Sequence, residues 1–446
     1  MNKELLGNII FIICAVVVIG LGVYLFRTQH SLPEEKVLLR WSVDSNPIRN
    51  ETIAVYEKTH PNVHIIVDPN PGPDTILTQC AGGVAPDIIT IYTIDSFRRF
   101  QRLGLLEDLT PYVEKYKLPI DKMRPEVMSY VHVDEKDPRI YGIVENAGPL
   151  CMFYNKDVFD KFGVPYPTND MTFDEVRELA KKLTSYKYVN GRKMDDIKGL
   201  YVNEDYEFFI RMFGGKLFSE DGKKCLINSP ESVKGLNYYA DMVLKDDTVP
   251  LAGDAASMAP TGGWQGTNLL LAQGKIAMLI TGRYLTIQFR PYYPKGIRIG
   301  MVRCPRSPYE NNILYTKCYC VPKGSKHKEE AAAFLASLLS NENQSMITSY
   351  GDAWPSITNP ELDKVAEYNP QYPMEDNNKE LLKDFATSRT KEVSPYINEV
   401  DMSAILNREM DRVWLEEITM KQAADNIARD VNKIINRNIV NPNFIN

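Results

Sequence analysis

The residues 84–95 read VAPDIITIYTID, an apolar run that ends in Tyr92, Thr93 and Asp95. A ring, a hydroxyl and a carboxylate at the end of a buried strand form a chemical set. The ring offers a flat apolar face, and the polar groups offer fixed hydrogen-bond partners. Other strand ends carry similar sets: Asp44, Ser45 and Asn46; Glu145 and Asn146; Gly282, Arg283 and Tyr284. Trp264 in TGGWQGT and Trp354 in YGDAWPS stand in loops rich in glycine or proline. Together these groups suit a polyhydroxylated ring, which has C–H faces to stack and vicinal hydroxyls to bind. Each also has a structural reading. Asp95 can cap a helix that starts at Ser96, Asp87 can fix a turn, Glu145 can pair with a lysine or arginine, and Tyr92 and both tryptophans can simply pack. A rival chemistry is glycoside hydrolysis, with Asp95 and Glu145 as acid and partner about 5–9 Å apart. No G-x-S-x-G, phosphate loop, G-x-G-x-x-G or H-E-x-x-H accompanies them. The histidines are scattered and no C-x-x-C pair occurs, so no metal site, catalytic group or cofactor is expected.

Those strand ends need strands. VLLRWSV (37–43) is a short apolar strand; within 44–61 a helix follows, with Ser45 or Asn46 as cap, Pro47 in its first turn and a stop before Pro61. Residues 62–68 read as the next strand, DTILTQCAG as a helix, then the PDII strand, then a helix ending near Gly104. This alternation predicts an α/β protein with a parallel sheet covered by helices. Residues 139–167 read as two extended runs separated by ENAGP, before a helix over 172–186 with Thr172 and Glu175 as a capping box. A turn at Asp221–Gly222, a strand, and a helix capped by Ser229 with Pro230 follow. GTNLLLAQGKIAMLITGRY reads as a helix, a stop at Gly274 and a buried strand; two further strands follow. The end of the chain is helical, most clearly over 423–435, with a box at Thr419 and Gln422.

A chain of 446 residues exceeds what one core usually holds, about 250–300 residues. Its net charge of −6 gives no pull toward nucleic acid or anionic lipid. The uncharged run from Ile9 to Phe26 is long enough to span a bilayer, which takes about 20 residues, and an uncleaved anchor is preferred to a cleaved signal. Beyond it, Cys80, Cys151, Cys225, Cys304, Cys318 and Cys320 would allow up to three disulfides or stay reduced in a core.

The stretches GGVAPDIITIY, LGLLEDLTPYVEKY, FYNKDVFDKFGVP, GKIAMLITGRY and AAAFLASLLSNENQSMITSYGDAWPS resemble the family 1 extracellular solute-binding proteins, the maltose-binding-like receptors of ABC sugar importers. The resemblance runs from about Leu38 to Arg437. It implies the type II, two-lobed periplasmic-binding-protein fold, with a hinge crossed three times. Residues 1–30 would be the signal or anchor helix. Residues 36–147 and 284–324 would form lobe one, and 148–283 and 325–446 lobe two. Carried over position by position, the ligand residues would be Asp44, Ser45, Asn46, Tyr92, Thr93, Asp95, Glu145, Asn146, Trp264, Gly282, Arg283, Tyr284 and Trp354. The implied function is capture of a carbohydrate between the lobes and delivery to membrane permease subunits, by a monomer outside the cytoplasm that binds no nucleic acid. The alternatives are a tethered sensor that presents sugar to a receptor, and a glycoside hydrolase. Two features depart from the family pattern. There is no clear lipobox, since Ile13 precedes Cys14, and six cysteines beyond the anchor are many for such receptors. The sugar stays open: polyols, oligosaccharides and sugar phosphates all fit this reading.

Overall fold

The computed structural model describes residues 36–132, 137–202, 206–259, 263–309 and 312–440; the expected anchor lies outside them. Ten strands build the frame: β1 (Val37–Val43), β2 (Val63–Pro69), β3 (Ile88–Ile91), β4 (Ile143–Asn155), β5 (Ser185–Val189), β6 (Arg192–Val202), β7 (Ile276–Gly282), β8 (Ile299–Arg303), β9 (Leu314–Cys320) and β10 (Trp354–Pro355). Their order is β2-β1-β3-β9-β4-β7-β6-β5, with β8 and β10 also pairing with β4. β1 is parallel to β2 and β3, and β6 to β7, while β9 runs antiparallel to β3 and β4.

β4 is the strand on which the two lobes meet. Its first half, through Pro149, pairs with β9, and its second half, from Leu150, pairs with β7 and β8. All thirteen residues are buried. Side chains alternate along a strand. Ala147, Cys151 and Phe153 therefore enter one core and Leu150, Met152 and Tyr154 another. The break expected at ENAGP is absent. Backbone pairing of Asn146, Ala147 and Gly148 with Lys317, Thr316 and Tyr315 carries the strand straight through it. Glycine lets the strand pass close to the ring here: a Cβ on Gly148 would stand 3.3 Å from Trp354, a tight contact.

The helix Ile48–Thr59 has Pro47 at its cap position and no side-chain cap, against the expectation of Ser45 or Asn46, and the helix after β3 starts at Ile94 under Thr93 and not under Asp95; three other caps fall where side-chain chemistry places them. Thr172 and Glu175 close a capping box, Ser229 caps Pro230–Leu244, and Thr419 and Gln422 exchange hydrogen bonds before Met420–Val440. The strand expected after Gly222 is reduced to one bridge between Phe218 and Cys225. The hairpin β5–β6 had no counterpart in the sequence reading.

The helix Lys328–Leu338 puts Phe334, Leu335 and Leu338 into the core of β1–β3. Phe334 meets Trp41 and Tyr56 edge-on, with both ring centroids 5.0 Å away. Phe334 to Phe385 pack into the core that holds β1–β3, and Ile397 to Ile435 pack with Phe218 and Leu236. Among the described residues no disulfide joins the six cysteines, and all but Cys80 are buried.

Candidate functional site between the lobes

Strand β3 ends at Ile91, and Tyr92 and Thr93 turn the chain into the helix Ile94–Arg102. Thr93 is the cap, accepting from the Ser96 N–H at 3.3 Å; Asp95 follows inside the first turn. This end of β3 forms one wall of a cavity of about 200 Å³. Tyr130 lies beside it and donates to the Tyr92 carbonyl at 3.3 Å. The facing wall comes from Tyr206, Phe218 and the stretch 391–407, and Tyr315 of β9 lies between. Aromatic rings thus come from both sides of the crossing strand.

Two contacts hold the walls together. The Thr93 hydroxyl donates to Glu399 Oε2 at 3.4 Å, and Arg102 donates to the Pro395 carbonyl at 3.0 Å. Glu399 is the first residue of the helix Glu399–Trp414, which Asn398 caps. Burial first, and then the Glu399 charge, push the Asp95 pKa up to about 6. Tyr92 is 37% exposed. Its hydroxyl turns inward toward Asp44, and burial pushes its pKa up.

Behind Tyr92 lies a second cluster. Arg49 reaches Asp352 at 2.6 Å, Glu145 at 3.1 Å and Asp44 at 3.3 Å. Lys317 reaches Asp352 at 2.8 Å and Asp44 at 3.0 Å. The Tyr319 hydroxyl donates to Glu145 at 2.8 Å, and Asn146 Nδ2 to Asp352 at 3.3 Å. Glu145 sits at a β-bulge between Val144 and Asn146, which re-aims its carboxylate into this cluster. Burial raises the Glu145 pKa against the pull of Arg49 and Lys317. At Asp352 burial acts the same way, but Lys317 and Arg49 outweigh it and hold the carboxyl well below the usual range.

The expected ligand residues therefore separate. Tyr92, Thr93 and Asp95 line the cavity. Glu145 and Asn146 are buried in the ion cluster, and Asp44 stands partly exposed at its edge. Asn46 Oδ1 accepts the Ile48 N–H at 3.3 Å, and Ser45 is exposed. Arg283 is buried: it donates to Asn378 at 2.8 Å, and its guanidinium stands 5.0 Å from the centre of the Trp354 ring. Burial lowers its pKa to about 10. Trp354 is fully buried and meets Phe385 edge-on at 5.9 Å. Gly282 ends β7 in register with Leu150. Tyr284 is partly exposed and meets Tyr315 edge-on at 6.3 Å. Trp264 lies in the first turn of the helix Gly263–Ala272, and its side chain is outside what is described. Tyr130, Tyr206, Tyr315, Lys391 and Glu399 line the cavity without having been singled out from the sequence. The one local signal was Asn398, an N-cap residue just past Pro395. Among the described residues no group of three His, Cys, Asp or Glu side chains is placed to hold a metal ion.

The family model described as bacterial extracellular solute-binding protein matches residues 44–345. An arabinooligosaccharide-binding protein of Bacillus subtilis is 27% identical over 338 residues, 72% of this chain and 70% of that protein. A galactooligosaccharide-binding protein of the same organism is 26% identical over 362 residues, 75% and 77% of the two chains. Among solved structures, the ABC substrate-binding protein Lmo0181 from Listeria monocytogenes, in complex with cycloalternan, aligns with a TM-score of 0.76. It covers 90% of this chain and 99% of its own, and at 24% identity the likeness is one of fold. With the two-lobed fold in agreement and most of the chain matched, this protein belongs to the bacterial extracellular solute-binding proteins, a family that acts outside the cytoplasm.

Proposed function

We propose that the chain is the substrate-binding protein of an ABC importer, that it captures a carbohydrate in the cavity between its lobes, and that it hands the sugar to a membrane permease. The observation that carries this reading is the pairing of rings and carboxylates from both walls: Tyr92 and Asp95 on one side, Tyr206 and Glu399 on the other, with Tyr315 between them. Rings stack on the C–H faces of a pyranose or furanose, and carboxylates accept its hydroxyls. The arabino- and galactooligosaccharide-binding relatives support the same class of ligand. Closure of the lobes around the sugar, by a hinge at β4, would present the loaded form to the permease. The chain acts as a binder and not as an enzyme, it works as a monomer, and residues 9–26 tether it to the membrane.

A thermal-shift screen against a carbohydrate panel tests this reading. A ligand at 100 times its Kd raises the stability of the native state by about 2.7 kcal/mol. A clear rise in melting temperature with at least one neutral oligosaccharide is expected. A flat response across arabino-, galacto- and maltooligosaccharides would overturn it.

A further inference from the structure

The charges of the cavity lining narrow the class of sugar. Asp95, Glu207, Glu392 and Glu399 carry its carboxylates. Two of these are spent inside the wall. Glu207 pairs with Arg211 and accepts the Glu392 N–H at 2.9 Å. Glu392 accepts the N–H groups of Leu217 and Phe218 at 2.7 and 3.0 Å. Asp95 and Glu399 differ. Glu399 accepts one hydroxyl, from Thr93, and among the described residues neither carboxylate has a cation within ion-pair distance.

The nearby cations are committed elsewhere. Arg102 and Arg99 share the helix of Asp95, but Arg102 holds the Pro395 carbonyl and Arg99 reaches Asp74 at 2.7 Å. Arg49 and Lys317 are neutralised in their own cluster. Among the described residues Lys391 is the one cation of the lining, and its ammonium stands 5.6 Å from the centre of the Tyr315 ring. An anionic group on a bound sugar would meet two carboxylates against one lysine, with no arginine fork of the kind that recognises phosphate or carboxylate.

We propose that Asp95 and Glu399, one from each wall, form a charge filter: the cavity takes uncharged sugars and rejects those bearing a carboxylate or phosphate. This rests on the carbohydrate reading above. The groups facing Asp95 are Glu399 across the cavity and Arg102 and Arg99 on its own helix. With the Asp95 pKa near 6, the filter weakens as the solution is acidified to pH 5, where Asp95 takes up a proton.

The test is calorimetric titration of the full chain with arabinotriose, galactotriose and maltotriose. Each is compared with the same trisaccharide oxidised to a carboxylate at the primary alcohol of its terminal residue, and with the uncharged amide of that acid. At pH 7.5 the best neutral sugar should bind at least about tenfold more tightly than its acid, a difference of about 1.4 kcal/mol, with the amide near the neutral parent. The ratio should shrink at pH 5 and in Glu399→Gln, and Asp95→Asn provides the same test should that variant not fold. Equal affinity for acid and neutral sugar overturns the filter and leaves the carbohydrate reading standing. Rejection of amide and acid alike also overturns the filter, because shape and not charge would then decide. Binding of none of the nine compounds removes both.

Discussion

Two clusters of carboxylates lie within one lobe's reach of each other and are built on opposite terms. In the cluster behind Tyr92, Glu145, Asp352 and Asp44 are matched by Arg49 and Lys317, and the acids are held by further hydrogen bonds from Tyr319 and Asn146. At the cavity, Asp95 and Glu399 come from opposite walls, and the Thr93 hydroxyl donates to Glu399. Compensated charge ties chain segments together. Uncompensated charge at an aromatic-lined cavity is left to meet a ligand. The pKa directions carry the same contrast, depressed at Asp352 and raised at Asp95.

The largest expected effect is in the compensated cluster. Arg49→Met strands Glu145 and Asp352 in the interior, and should lower stability by about 3–5 kcal/mol in a urea melt. A loss below 1 kcal/mol would break the contrast, since the cluster would then not hold the fold. Next comes Tyr92→Ala, which should cost on the order of 1–3 kcal/mol of sugar affinity by calorimetry with a much smaller change in melt midpoint, because the residue is partly exposed. Wild-type affinity combined with a large drop in midpoint would move Tyr92 to the packing side.

The two aspartates should also respond to pH with opposite signs. Asp95 binds its proton more tightly when folded, so stability falls as pH rises from about 4 through 6, by at most about 1.4 kcal/mol per pH unit for one proton. Asp352 holds its proton less tightly when folded, so its contribution is full above the usual carboxylate range and is lost as pH falls below it. Asp95→Asn should flatten the slope between pH 4 and 6 and leave the acid limb in place. A slope in that window that survives the substitution would contradict the assignment. The smallest effect is at Thr93→Ala, about 1 kcal/mol for a lost N-cap, read from a urea melt. A change within error would mean that the Ser96 N–H finds another partner.

Local chemistry made much of this legible in advance. The capping boxes at Thr172 and Thr419 and the polar end of β3 each rest on neighbours a few residues apart. What stayed hidden depends on long separations. Arg49 and Glu145 are 96 residues apart, and Asp352 is 303 from Arg49, so no spacing announces their pairing. The possibility that Glu145 pairs with a cation was legible; which cation was not. ENAGP reads as a break because glycine and proline punctuate chains, yet pairing with β9 and β10 overrides that tendency. Tyr206, Tyr315 and Glu399 come to the cavity only when the lobes meet, and their own neighbourhoods carry no mark of it. Trp354 stood out as a large ring in a loop; the Gly148 surface and the Arg283 guanidinium claim it for packing.

The most direct measurement is a crystal structure of the chain with the neutral trisaccharide that shifts its melting temperature most. The account predicts sugar density between Tyr92 and Asp95 on one wall and Tyr315 and Glu399 on the other, with a ring face against a tyrosine and a hydroxyl on each carboxylate. Density for the sugar outside this cavity, with the Thr93–Glu399 hydrogen bond still in place, would contradict it.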